Sequence, residues 1–308
     1  MKRSILAALT AILLVEAGPV ARAEPVEVVA TTTDLGRLFG DIGGERVDCT
    51  VLCKGWQDPH YLQPKPSFAA RMRKADLLAY IGLQLEVGYL PVLIESARNR
   101  ELLLGASGNV PMARGITILE VPEGEVSRAQ GDVHPEGNPH YWLDPRNLLI
   151  MAETAESSLI RVDPAGSAIY HQGKEELRRR LEAAIPLWEE RMASHRGATV
   201  VCHHKQWEYL CRWLGLEVLD YVENKAGVPP SPRHLQDLVA DMRHHEVGVI
   251  LAADFVDLGA ARRVAEETGA TLVVLPASVE GEEGVETFED LFSTLVERIA
   301  VALEGRAR

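Results

Sequence analysis

Beyond its first two dozen residues this chain has no apolar run long enough to cross a bilayer, no low-complexity segment, no flexible Gly/Ser linker and no cysteine pair at CxxC spacing. Each absence removes a class of answer. A membrane span needs about 20 apolar residues, whereas Val247–Ala253 and Ala270–Pro276, the most apolar later stretches, are strand-length. Without CxxC spacing, a four-thiolate zinc site built from Cys49, Cys53, Cys202 and Cys211 has little support. Those cysteines allow three disulfide connectivities, and spacing does not choose among them. Cys49 and Cys53 would sit about 13 Å apart in a regular strand, too far to bond each other. Positive charge is also short: 32 Lys and Arg against 45 Asp and Glu give a net charge of −13. Phosphates would repel such a chain, so no nucleic-acid partner is expected. The balance suits solubility and the handling of cations.

What is present starts with an export signal. Met1-Lys2-Arg3 is a short basic start, Ser4 to Gly18 is apolar except for Glu16, and Ala21-Arg22-Ala23 has the small-x-small pattern of a cleavage site. The expectation is a signal peptide over 1–23, cleaved near Ala23, and a periplasmic mature chain. The alternative, a retained membrane anchor, is disfavoured because the run is too short to span comfortably. No cysteine lies near the cleavage position, so no lipid anchor is expected. Cleavage removes Lys2, Arg3, Arg22 and Glu16, which moves the net charge to −15. The remaining 285 residues suit one large domain or two of ordinary size.

The mature chain alternates β-branched runs with amphipathic ones. Strands are expected at Val26–Thr31, Val47–Cys53 and Asp76–Ile81, with helices at Leu35–Ile42, Pro66–Lys74 and Leu90–Asn99. A second such unit runs from Thr199 to Leu275, with a closing helix from about Phe288 to Leu303. Between them, Ala165–His195 is strongly helical, with Leu177, Leu181, Ala184, Ile185 and Trp188 at helical spacing. Such a helix reaches about 40 Å if Pro186 only kinks it. The fold class is α/β: two Rossmann-like lobes, each a parallel sheet flanked by helices, joined by one long rigid linker helix. The boundaries are 24–163 for the first lobe, 164–196 for the linker and 197–308 for the second lobe.

The chemistry gathers in three loops: Gly55 to Tyr61, Gly137 to Pro145, and Cys202-His203-His204. Each holds a histidine, the first and third at strand ends, where parallel α/β sheets bind ligands. A histidine alone in a loop is usually solvated or bonded to backbone. The two Pro-His pairs shift that balance, because proline pre-sets a loop and lowers the entropy lost in holding a ligand. Three converging imidazoles suit Zn²⁺ well and Mn²⁺ poorly. Asp58 and Asp144 suit either a turn cap or a bond to an imidazole N–H.

These segments also carry a family likeness. Asp58-Pro59-His60-Tyr61-Leu62-Gln63-Pro64-Lys65-Pro66-Ser67 resembles the DPHxYxPxPS stretch of the cluster A-I solute-binding proteins, which serve zinc and manganese ABC importers. Leu62 stands where that family has tyrosine. Lys74-Ala75-Asp76-Leu77 with Gly82-Leu83-Gln84-Leu85-Glu86 is similar to its KADL…GLxLE segment. Asn138-Pro139-His140-Tyr141-Trp142-Leu143-Asp144-Pro145 resembles its DPHxWLDP motif, with Asn138 for the first aspartate. The likeness covers nearly all of 25–300. It implies two lobes on a long helix and metal ligands at His60, His140 and His204. The choice of His204 over His203 follows from the glycine eleven positions after the family's third ligand, here Gly215. A histidine there, rather than the glutamate of manganese-specific members, points to zinc.

The departures concern the fourth ligand. Leu275-Pro276-Ala277-Ser278-Val279 has no carboxylate where the family has an aspartate, and Ala253 replaces a glutamate. Water, Asp254, Glu280, Glu282, Glu283 and His134 are the options for that place, water or a mobile carboxylate being the expectation, with Asp58 as a further neighbour. The His-rich loop of many zinc members is also absent: His134 is the sole histidine between Glu123 and Glu136. The expected role is a monomeric carrier that captures Zn²⁺ between its lobes and releases it to a membrane permease. A Mn²⁺-binding or adhesin-like member of the same fold is an alternative. So is a mononuclear His₃ zinc hydrolase or hydratase, with Asp58, Asp254 or Glu86 as base.

Overall fold

The computed structural model describes residues 24–124, 134–224 and 227–305. The expected leader and its cleavage position lie outside them. The first lobe runs β1 (Val26–Ala30), α1 (Thr33–Gly43), β2 (Val47–Val51), α2 (Pro66–Met72), β3 (Leu77–Tyr80), α3 (Leu90–Ala97), β4 (Asn109–Pro111) and α4 (Pro145–Val162). The long helix α5 (Ser167–Met192) follows. The second lobe runs β5 (Thr199–Cys202), α6 (Glu208–Leu214), β6 (Glu217–Tyr221), α7 (Pro232–His244), β7 (Val249–Ala253), α8 (Gly259–Thr268), β8 (Thr271–Leu275) and α9 (Phe288–Glu304).

Each lobe holds one parallel sheet, in the orders β2-β1-β3-β4 and β6-β5-β7-β8. The first strand of each lobe pairs on both sides, β1 with β2 and β3, β5 with β6 and β7. Successive connections therefore leave it in opposite directions and open a crevice at its carboxyl end. Strand alternation divides the core: Val28 and Ala30 face the mass of side chains around α5 and α9, while Val29 packs outward with Leu78 and Leu93. Burying each such aliphatic side chain contributes about 1.5–3 kcal/mol, which is what holds strands with polar backbones in the interior.

The two-lobe α/β expectation is met, and two elements it did not include are present. β4 is three residues long at a sheet edge and ends in Pro111, where a missing N–H is tolerated. α4 starts at Pro145 and is capped by Asp144, which accepts the Arg146 N–H at 3.0 Å. α6 starts three residues later than the expected Lys205, because 203–207 form a turn at the end of β5.

α5 has 26 residues, about 39 Å at helical rise, and passes through Pro186 without ending. Its buried face of Leu177, Leu181, Ile185 and Trp188 touches both lobes. Arg180 on this helix pairs with Asp41 of α1 at 2.7 Å and Glu289 of α9 at 3.2 Å, tying lobe to lobe. Further ties cross the crevice. Thr33 Oγ1 donates to the Val279 carbonyl at 2.5 Å, the Val279 N–H donates to Asp34 at 3.0 Å, and Trp142 Nε1 donates to the Ala277 carbonyl at 2.9 Å. Gly55 lets this seam close: a Cβ there would lie 2.4 Å from the Val279 carbonyl oxygen. Among the described residues no helix is long and apolar enough to cross a membrane.

Candidate metal centre

His60 lies in the loop after β2. The Asp58 carboxylate accepts both its backbone N–H at 2.9 Å and its ring Nδ1 at 2.7 Å. A carboxylate only accepts, so Nδ1 carries the hydrogen and Nε2 presents its lone pair. Burial pushes the Asp58 carboxyl up, but the bond to His60 and the nearby imidazoles outweigh it and hold it below its ordinary range. Asp58 thus fills both roles left open for it, cap and imidazole partner.

His140 follows a turn of the same design, in which Asn138 Oδ1 accepts the His140 N–H at 2.9 Å. Gly137 enters this turn at φ +101°, and a Cβ there would meet Ile118 at 2.4 Å. The His140 ring is 1% exposed and lies 5.2 Å from the Trp142 ring. Neither of its nitrogens has a hydrogen-bond partner, although both are buried. Burial, aided by His60 and His204, drives its pKa well below the usual imidazole value. Leaving one such group unpaired costs about 1–3 kcal/mol, so a partner for the ring is implied.

His204 sits just past β5, where the pairing with β6 shifts register between Val200 and Cys202. Its Nδ1 is 3.7 Å from Glu223, a residue just past β6. One ligand atom from each of His60, His140 and His204 lies within 4.8 Å of the other two. Ring centroids are 5.3 Å apart for His60 and His140, 5.9 Å for His60 and His204, and 6.0 Å for His140 and His204. Among the described residues no other group of three or more His, Cys, Asp or Glu comes together in this way.

His134 lies beside the cluster but outside the group of three, its Nε2 3.2 Å from the Nε2 of His60. Two nitrogens on a tetrahedral zinc lie about 3.3 Å apart, given Zn–N bonds of about 2.0–2.1 Å. Burial, then the charges of His60 and His204, lowers the His134 pKa to about 4.

The remaining candidates point elsewhere. His203 is 2% exposed, donates its backbone N–H to the Leu251 carbonyl, and is outside the cluster. Asp254 is outside the cluster, sits against Gly281 and feels the charges of Glu282 and Arg298; burial pushes its carboxyl up to about 6. Glu282 pairs with Arg298 and Glu283 is exposed. Glu280 donates its backbone N–H to Val285 at the seam. Asp144 is spent on capping α4 and binding Arg146 at 2.6 Å. Glu86 is buried and accepts bonds from Thr31 Oγ1 and the N–H groups of Ile81 and Gly82, which makes it a strut beneath the loop. All four cysteines are unpaired thiols, and burial raises Cys49 and Cys53 to about 12. Glu223 was missed from sequence. Its only signal is its place after a strand that pairs with β5.

A family described as zinc-uptake complex component A (ZnuA), periplasmic, matches residues 28–302. The chain is 27% identical to the iron-binding protein YfeA of Yersinia pestis, over 93% of this chain and 89% of that one. It is 22% identical to the manganese ABC transporter substrate-binding lipoprotein PsaA of Streptococcus anginosus, over 91% and 90%. A crystal structure of ZnuA superposes with a TM-score of 0.76 at 22% identity, covering 91% of this chain and 99% of that one. The manganese-bound periplasmic metal-binding protein of Candidatus Liberibacter asiaticus gives 0.73 at 22%, covering 90% and 98%. The chain belongs to the ZnuA family of periplasmic metal-binding proteins, the substrate-binding components of metal ABC transporters.

Proposed function

We propose that this chain is an exported, non-enzymatic Zn²⁺ carrier that hands its ion to the permease of an ABC importer. The carrying observation is the buried His140 ring, unpartnered at both nitrogens and facing His60 and His204 within ligand distance. His60, His140 and His204 bind the ion through neutral imidazole, and His134 supplies the fourth nitrogen from beside His60. Asp58 orients the His60 ring, and Glu223 faces His204 from further away.

The donor set favours zinc over the manganese and iron of the relatives' names. Mn²⁺ prefers carboxylate oxygen, whereas this cluster offers nitrogen, and both Mn²⁺ and Fe²⁺ lie below Zn²⁺ in affinity order. A His₃ hydrolase needs an open fourth position for its reactive water. A His134 nitrogen taking that position would displace it.

Titration of the purified protein against a chelating dye tests this. One zinc per chain is expected, bound more tightly than manganese. His60→Ala, His140→Ala and His204→Ala should each weaken zinc by more than about 100-fold, a loss above 2.7 kcal/mol. His134→Ala should lose about tenfold and His203→Ala little. Full affinity in all three ligand variants would end the assignment, and turnover of an ester by the zinc form would restore the hydrolase.

A further inference from the structure

A second polar cluster joins the loop bearing His140 to the lobe bearing His204. Asn138 is 5% exposed, and its side chain faces two ways. Oδ1 accepts the His140 N–H. The amide nitrogen faces Glu120 Oε2 at 3.0 Å, Glu208 Oε2 at 3.0 Å and the Lys205 carbonyl at 3.1 Å. Two of those acceptors, Glu208 and Lys205, belong to the second lobe. The backbone is pinned as well: the Asn138 N–H donates to the Leu119 carbonyl at 2.8 Å, and the Tyr209 hydroxyl of α6 donates to the Asn138 carbonyl at 3.0 Å.

The amide supplies here a donor that an aspartate could not. Aspartate would keep the oxygen that caps the turn but lose the donor. It would also add a third carboxylate beside Glu120 and Glu208. Glu208 is 9% exposed, and burial with the Glu120 charge already raises its carboxyl to about 7. Lys205 offsets one charge only, at Glu120, 2.8 Å away.

We propose that Asn138 and Glu208 are positioning residues for the metal centre, their amide–carboxylate contact clasping the His140 loop to α6 and thereby setting the reach from His140 to His204. This inference rests on the metal-carrier reading above. A bond between an amide and a carboxylate can be reversed, with donor and acceptor exchanged across the seam. That property separates a clasp from a residue that merely fills space.

Zinc affinity, by competition with a chelating dye, and unfolding temperature in excess chelator are measured for the unmodified protein and for Asn138→Asp, Glu208→Gln and the double variant. Asn138→Asp is expected to weaken zinc about 10–100-fold. Glu208→Gln should lose less, because its amide oxygen still accepts. The double variant, with amide and carboxylate exchanged, should recover at least about threefold of the affinity lost in Asn138→Asp, a coupling that independent sites do not show. It should fall short of the unmodified protein, because the new carboxylate still faces Glu120 and the Lys205 carbonyl. Should Asn138→Asp fail to fold, a folded, zinc-binding double variant remains the expected result. No recovery in the double variant overturns the proposal. So does a fall in unfolding temperature for Asn138→Asp with zinc affinity unchanged. An unmodified protein that binds no zinc would remove the metal reading itself, and the clasp with it.

Discussion

Both nitrogens of the His140 ring are buried without a partner, while a metal ion would satisfy one of them. Stability and function therefore conflict at this side chain. A leucine fills similar space and has nothing to satisfy. His140→Leu should raise the stability of the metal-free protein by about 1–3 kcal/mol, read by urea unfolding in excess chelator. The same variant should lose the stabilisation that zinc gives the unmodified protein, about 4 kcal/mol at 1,000 times Kd. A variant less stable than the unmodified protein in chelator would show that the ring is satisfied in some other way. The residues of this site were partly legible beforehand. Asp58-Pro59-His60 and Asn138-Pro139-His140 both place an oxygen two residues before an imidazole, and in both the oxygen accepts the histidine N–H. That turn chemistry is local, so a reader of sequence can find it. His134 was one option among several for the fourth ligand, and nothing local singled it out. Its distance to His60 depends on where a distant loop is carried.

The first turn of α1 is tied to the loop after β8, and a buried carboxyl lies in the tie. Asp34 accepts the Val279 N–H at 3.0 Å with one oxygen and leaves Oδ2 buried without a partner. Burial pushes its pKa from 3.8 up to about 7, with Glu280 adding to the rise and the Val279 and Ser278 bonds opposing it. The folded chain thus holds this proton more tightly than the unfolded chain. Stability from this group is complete below about pH 4 and is lost as pH rises through 7, by at most about 4 kcal/mol for three units. Asn cannot ionise, so Asp34→Asn should gain on the unmodified protein from pH 4 to 7 and hold a constant lead above it. Parallel stability curves over that range, by denaturant unfolding in chelator, would contradict this. The strands and helices themselves were largely legible, since their period of 2 or 3.6 is written in short windows. β4 and α4 were not. Three residues ending in proline give no periodic signal, and the cap that starts α4 lies inside a stretch that also reads as ligand loop.

Two lobes joined by α5 could swing, but the ties across the seam argue for small motion. Arg180 bridges α1 and α9 from the linker, Trp142 reaches the Ala277 carbonyl, and Thr33 and Asp34 hold Val279. A buried side-chain bond adds about 1 kcal/mol, and opening the lobes would break several at once. Scattering measurements should give a radius of gyration near 19 Å that changes by less than about 1 Å on adding zinc, as expected for a compact chain of this length. A change of several ångströms would mean a wide hinge. Motion at the centre is then local, in the loops of His60, His140 and His204, while the sheets stay fixed.

The amino-acid order alone settled the α/β rhythm, the acidic surface, the long helix and the loops where imidazoles stand, because each follows from interactions within a few residues of chain. The meeting of those imidazoles needed the folded molecule. His60, His140 and His204 lie 80 and 64 residues apart, and no local rule connects them. Their convergence follows from which strand lies beside which and from the packing of both lobes on α5. The same packing left Asp254 outside the cluster and brought His134 beside His60. Closing such long loops costs little more than closing short ones, so burial of the core, and not chain distance, decided which side chains share the crevice.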